Sequence, residues 1–335
     1  MNQLILMHMA DGLISIPIGI VFFIISAIFL VLSLKKIYQR HDESQIPMMA
    51  VMGAFIFAGQ MINFTIPATG SSGHIGGGIL LCLILGQYPA FLSLCCVLII
   101  QCLFFGDGGL LALGCNMFNM GVLPCFVAYP LIVKPLLKNH LNKKRMIAAS
   151  LAGVVVGLEL GAFFVVIETI VSQVTTLGFV PFLSLMLPIH LAIALVEGLL
   201  TGAIVLYVYQ QSPRMIDCAL SKQSDHQFYF KKLVLIFAFV TIFLGGGLSL
   251  YASQYPDGLE WSLEGLLGQS DIENDDETKQ AIEQVQETTS ILPDYHFRHN
   301  DHPFGTSTAG IVGGAFTLIL VGTIGYCVTK KDKHE

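Results

Sequence analysis

The sequence predicts an all-α integral membrane protein: a polytopic helical bundle of about nine spans, a seven-helix module followed by a two-helix module. Three observations predict it. The 335 residues are 54% hydrophobic and 12% charged, with mean hydropathy +0.72, whereas soluble domains carry about 25% charged residues. Apolar runs of bilayer length recur along the whole chain. Of the 17 basic residues, 15 fall in four clusters, each separated from the next by an even number of those runs.

The apolar segments cover 13–34, 47–63, 75–86, 88–105, 110–137, 146–171, 186–209, 232–252 and 309–328. Each is long enough to cross except 75–86, whose glycine-rich start (Gly76, Gly77, Gly78) predicts a half-helix or a tilted entry. The first has no basic stretch before it and no small-residue cleavage site after it. It is therefore expected to be a retained helix rather than a signal peptide. The basic clusters are Lys35, Lys36 and Arg40; Lys134, Lys138, Lys143, Lys144 and Arg145; Arg214, Lys222, Lys231 and Lys232; and Lys330, Lys331 and Lys333. Counting nine spans puts all four on one side, and basic loops face the cytoplasm. The expectation is a multi-pass protein of the inner or plasma membrane, embedded in lipid, with its N-terminus outside and its C-terminus cytoplasmic. Nothing points to nucleic acid.

A polar cytoplasmic linker over 211–231 divides the chain into residues 1–210, with seven spans, and residues 232–335, with two. Those two enclose an outer loop that carries 12 acidic residues from Asp257 to Asp301, against Lys279 and Arg298. Its middle, 270–289, is polar and expected to be flexible. The eight cysteines form no CxxC and mostly lie inside apolar runs, so they read as small packing residues rather than a disulfide framework.

Two histidines flank the first helical hairpin. His8 lies in Met7-His8-Met9-Ala10-Asp11-Gly12, just before the first span, and His74 ends Gly70-Ser71-Ser72-Gly73-His74, just after the second. Both fall at one membrane face, and an imidazole pair there suits capture of a transition metal. A histidine second in line after a free amine chelates through the amine, the intervening amide nitrogen and the imidazole, in a plane that favours Ni(II) or Cu(II). Six residues precede Met7, so this chelate exists if the mature chain starts at Met7. The plainer readings are an interfacial histidine at a helix entry for His8 and an incidental loop histidine for His74.

Gln101, Asp107, Asn116 and Asn119 form a polar cluster, with Asn116 and Asn119 on one helix face. They either orient a metal-binding imidazole or hold helices together by hydrogen bonds. Glu159, Glu168, His190 and Glu197 are ionisable groups within spans, and His190 and Glu197 lie two turns apart on one face. They suit a proton relay or a buried structural pair. His296, His299 and His302 read as solvated residues of the acidic loop. No HExxH or Walker A sequence occurs, so neither a zinc protease nor a P-loop ATPase is indicated.

Several motifs carry a family resemblance. They are Met7-His8-Met9-Ala10-Asp11-Gly12, Gly73-His74, Phe105-Gly106-Asp107-Gly108-Gly109, Asn116-Met117-Phe118-Asn119-Met120-Gly121, and His190-Leu191-Ala192-Ile193 with Glu197-Gly198. Together they resemble the CbiM/NikM family, the substrate-binding components of energy-coupling factor transporters for cobalt and nickel. Tyr255-Pro256-Asp257-Gly258-Leu259-Glu260, between the last two spans, resembles the PDGLE-type N component. The resemblance covers about 7–330 and implies a fusion of the two. It implies an N-terminal segment tucked into the bundle. It also implies a metal bound by the N-terminal amine, the following amide and histidine, and a second histidine; these roles fall on Met7, His8 and His74. The neighbours expected to orient those ligands are Asp11, Ser72, Asn116 and Asn119. The implied function is substrate capture for a nickel or cobalt importer, not an enzyme. No cofactor is held permanently, Ni(II) or Co(II) is the cargo, and the partners are a transmembrane coupling (T) subunit and ABC ATPases. The alternative is a proton-coupled secondary transporter or channel for divalent metal, using Glu159, Glu168, His190 and Glu197. An intramembrane hydrolase lacks a visible nucleophile and base.

Overall fold

The computed structural model describes residues 8–40, 42–138, 141–221, 231–269, 276–298, 302 and 304–330. Its helices are α1 Ile16–Arg40, α2 Ile46–Gln60, α3 Gly78–Leu85, α4 Gln87–Phe105, α5 Leu113–Leu137, α6 Lys143–Ser172, α7 Phe179–Gln211, α8 Pro213–Ser221, α9 Lys231–Gly246, α10 Gly258–Leu267, α11 Glu277–Thr289 and α12 Phe304–Thr329. The fold is a polytopic all-α membrane bundle. One two-stranded antiparallel hairpin interrupts it, β1 Phe64–Ile66 against β2 Ser71–Gly73, with Thr65 opposite Ser72.

Every apolar segment of the sequence becomes helical, but the expectation of nearly uniform crossings needs correction. Six helices are long and apolar enough to span a bilayer: α1, α4, α5, α6, α7 and α12. The others, α2, α3 and α9, have 15, 8 and 16 residues. At about 1.5 Å per residue, α3 covers only about 12 Å of a hydrocarbon core of about 30 Å. Apolar length overestimated α2 and α9 as spans, whereas α3 is the half-helix expected over 75–86; α2 and α3 lie inside the bundle, with all eight residues of α3 and 13 of α2 buried. Irregular backbone is tolerated at membrane depth when protein surrounds it. The extended stretch from β2 to Gly77 therefore completes the path that α3 leaves unfinished. In α5, Pro124 and Pro130 break regular hydrogen bonding, and the chain winds there as a wide π-helix from Phe118 to Val133.

The two ends of the bundle differ in charge. At one end Lys134 donates to Gln87 (3.1 Å), Lys232 to Gln211 (2.9 Å) and the Tyr129 hydroxyl to the Ala219 carbonyl (3.0 Å). The linker expected over 211–231 includes α8, whose Met215 and Ile216 are buried; residues 222–230 lie outside the described part. At the other end the acidic loop packs on the bundle. Its expected flexible middle includes helix α11, capped by Asp276, with Lys279 and Gln286 buried. Sequence polarity suggested a mobile loop, but Gln286 donates to the Cys102 and Gly108 carbonyls at 3.0 and 2.6 Å. These bonds seat a helix whose buried residues, Lys279 and Gln286, are polar.

Candidate metal centre

His8 is carried by the segment that leads into α1. Met9, Leu13 and Ile14 on that segment are buried against Ala112, Cys115, Ala162, Val166, Phe182 and Met186. The backbone beside His8 is pinned on both sides. Met9 N–H donates to Asn116 Oδ1 (3.1 Å), and the Met9 carbonyl accepts from Asn116 Nδ2 (3.1 Å) and Gly109 N–H (3.0 Å). This close approach requires glycine. A Cβ on Gly109 would lie 1.8 Å from Asp11 Oδ1, and one on Gly108, whose φ is +78°, would lie 2.8 Å from His8 Cβ.

His74 lies between β2 and α3, on a segment suspended between two helices. Gly76 and Gly77 N–H donate to the two carboxylate oxygens of Glu197 on α7, at 2.8 and 2.9 Å. On the other side, Gln60 Nε2 on α2 donates to the Gly76 carbonyl (3.1 Å), and Gln60 accepts from Gln101 (2.9 Å). The sequence thus converges here: His8 and His74 have ring centroids 5.5 Å apart, tilted by 56°. They share a cavity of about 110 Å³ with Asn116, Asn119, His190, Glu197 and Asp257, large enough for a metal ion with water.

His8 is 4% exposed, and its Nε2 has no hydrogen-bond partner. A buried polar group left this way calls for a ligand. His8 Nδ1 pairs with Asp107 Oδ2 at 3.0 Å. Burial opposes charge on His8, but the Asp107 carboxylate outweighs it and raises the imidazole above its ordinary value. Reciprocally, burial alone would raise Asp107, but His8 and the Tyr295 hydroxyl hold it below the usual range.

The other expected residues take distinct places. Met7 lies outside the described residues, as does His299. Asp11 accepts from Ala112 N–H (2.8 Å), Asn116 holds the Met9 backbone, and Asn119 donates to Glu168 (2.8 Å). Ser72 faces the second module: its N–H donates to the Pro256 carbonyl and its hydroxyl to the Tyr255 carbonyl, both at 2.7 Å. His190 Nδ1 donates to the Met186 carbonyl (2.7 Å). Among the described residues, no three His, Cys, Asp or Glu side chains group closely enough to hold a metal.

The second module supplies residues that sequence reasoning missed. Asp257 caps α10 in a capping box with Glu260 and lines the cavity. Burial pushes its carboxyl up, against the opposing pull of His74. Trp261 Nε1 donates to the Thr69 carbonyl (3.0 Å), and Tyr295 donates to Asp107. The sequence marked Asp257 only as part of the PDGLE-type motif, which does not say what its residues face.

Comparison with known proteins agrees with this arrangement. Residues 8–215 match the family described as Cobalt uptake substrate-specific transmembrane region, CbiM, and residues 231–330 match the PDGLE domain. A protein of Archaeoglobus fulgidus, provisionally named fused nickel transport protein NikMN, is 31% identical over 97% of this chain and 98% of its own length. The fused nickel transport protein NikMN of Rhodobacter capsulatus is 32% identical over 48% of this chain and 46% of its own. A crystal structure of a truncated transition metal transporter superposes with TM-score 0.55 at 32% identity, over 61% of this chain and 99% of that one. The chain is a metal transport protein rather than an enzyme, and it belongs to the CbiM/NikM family, joined to a PDGLE-type N component.

Proposed function

We propose that this protein is the substrate-capture subunit of an energy-coupling factor importer and takes Ni(II) or Co(II) from outside the cell. Residues 1–210 capture the ion, 211–231 link, and 232–335 form the N module. The observation that carries the reading is the buried His8–His74 pair, 5.5 Å apart, with His8 Nε2 lacking a hydrogen-bond partner. Two imidazoles alone do not complete a planar site, and among the described residues no third metal-binding side chain groups with them. Main-chain nitrogen supplies the rest, with the Met7 amine as a ligand when Met7 is the terminus. Asp107 and Asn116 hold His8 and its backbone, and Glu197 holds the His74 segment. A transmembrane coupling subunit and ABC ATPases, absent from this chain's motifs, provide the energy.

Titration of the purified protein with NiCl₂ tests this. His8→Ala and His74→Ala each weaken binding strongly, whereas His302→Ala, at an exposed loop residue, leaves it unchanged. Binding falls on acidification, because a ligating imidazole must be neutral and histidine titrates near about 6.5. A form starting at Met7 binds more tightly than the full chain. Wild-type affinity in His74→Ala refutes the site. In cells, accumulation of metal requires the ATPase; uptake that persists without it and collapses with the proton gradient supports the secondary transporter instead.

A further inference from the structure

Asp107 Oδ2, the oxygen 3.0 Å from His8 Nδ1, also accepts from the Tyr295 hydroxyl at 2.5 Å. Tyr295 belongs to the other module, 188 residues further along the chain. Its ring is 5% exposed and stacked on Phe105, with centroids 5.1 Å apart and planes 18° apart. The ring is thus fixed, and its hydroxyl is aimed at one carboxylate oxygen. Asp294 and Tyr295 both have positive φ, +51° and +62°, a backbone conformation that non-glycine residues keep only where surrounding contacts enforce it. The same module holds the Asp107 loop at further points. Gln286 donates to the Gly108 carbonyl at 2.6 Å, and Ile291 N–H donates to the Phe104 carbonyl at 2.9 Å.

We propose that Tyr295 is a positioning residue for metal capture, acting through Asp107 to set the orientation of the His8 imidazole. The PDGLE-type module thereby tunes the affinity of a site whose ligands belong to the CbiM-like module. This rests on the reading of His8 and His74 as ligands. A carboxylate beside a ligating imidazole fixes the ring. A second donor on the same oxygen restricts the carboxylate in turn. Without the hydroxyl, Asp107 gains rotational freedom and the imidazole loses its fixed tilt.

The test uses the full chain, titrated with NiCl₂, with the paramagnetic resonance spectrum of bound Cu(II) as a readout of ligand geometry. Tyr295→Phe keeps the ring stack and removes the hydroxyl. Loss of a ligand's outer partner weakens metal binding by about 10- to 100-fold. Asp107→Asn falls in that range, and Tyr295→Phe, one step further out, falls near its lower end with a shifted Cu(II) spectrum. The double variant matches Asp107→Asn alone, because both act through one oxygen. Wild-type affinity and spectrum in Tyr295→Phe, or losses that multiply in the double variant, overturn the proposal. If Tyr295→Phe does not fold, 3,5-difluorotyrosine at position 295 keeps ring and hydroxyl while making the donor stronger; an unshifted Cu(II) spectrum then overturns it. His74→Ala in the same series separates the two claims. Binding lost there but intact in Tyr295→Phe removes only the positioning role, whereas binding intact in His74→Ala removes the metal site itself.

Discussion

Glu197 is 2% exposed and lies within the membrane span α7, where an isolated carboxylate is costly. Its two oxygens accept from Gly76 and Gly77 N–H, at the start of α3. The first amides of a helix have no acceptor within it, and negative charge is favoured there. Glu197 therefore acts as a cap supplied by a different helix, and it holds the segment that presents His74. Glu197→Gln keeps the shape but turns one oxygen into a donor facing another donor. Leaving one buried amide unsatisfied costs about 1–3 kcal/mol. The variant melts at lower temperature in detergent and binds Ni(II) more weakly. A variant with unchanged melting and metal binding that abolishes proton-coupled uptake assigns Glu197 to proton transfer instead. The sequence placed His190 and Glu197 on one face and marked them as exceptional, but it left a relay and a structural pair equally open. What decides is a pair of main-chain N–H groups, Gly76 and Gly77, just ahead of α3, which carry no side-chain signature. Tyr295 escaped notice for a related reason: its partner is 188 positions away, and nothing local connects them.

At the level of elements, the apolar runs located every membrane helix, and the His8 and His74 segments were legible because unusual residues punctuate them. Lengths were less legible, since an apolar run reads the same whether lipid or protein surrounds it. The packing of α9 on α12 shows a signal present but unread. Gly245 and Gly310 meet backbone to backbone, and a Cβ on Gly310 would lie 2.3 Å from the Gly245 carbonyl oxygen. Small residues permit such approaches between membrane helices, where lipid offers no hydrophobic drive for association. Glycines cluster at Gly245, Gly246 and Gly247 and at Gly310, Gly313 and Gly314, but spacing alone does not say which helices they join. Gly310→Val forces the two helices apart. Overpacking of this kind costs about 1–3 kcal/mol, and the shift propagates to the turn that carries Tyr295, just ahead of α12. Thermal unfolding in detergent shows a lower melting temperature for Gly310→Val, whereas Gly268→Ala, at a position with no neighbour within 4 Å, perturbs only its local backbone. Equal melting of Gly310→Val and wild type contradicts the close packing.

Over the whole molecule, the basic residues and the proposed metal site lie at opposite ends, and the proposed direction of transport rests on that polarity. Arg40, Lys134 and Lys232 gather where α1, α3, α5, α7 and α9 meet, with Gly86 and Ala219 beside Arg40 and Tyr129. The other end holds β1, β2, the Asp107 loop and the acidic segment, bridged by Ser253 N–H to the Asn63 carbonyl (2.8 Å) and Ser72 N–H to the Pro256 carbonyl (2.7 Å). Basic ends of membrane bundles stay in the cytoplasm, so the expected orientation has His8 and His74 opening toward the outside, as the proposed capture requires. The short α3 does not disturb this order. The extended stretch from β2 to Gly77 carries the chain inward from the His74 end, and at the far end of α3 a Cβ on Gly86 would lie 3.5 Å from the Ala219 carbonyl oxygen at the basic end. The chain therefore passes from end to end there despite an eight-residue helix. Single cysteines test the orientation in a background with Cys218 and Cys327 replaced by serine. Gln284→Cys, exposed on α11, reacts with a membrane-impermeant maleimide on intact cells. Lys144→Cys, exposed at the start of α6, reacts only after permeabilisation. The reverse pattern puts the histidine pair on the cytoplasmic side and makes capture from outside untenable, even with every ligand correctly assigned.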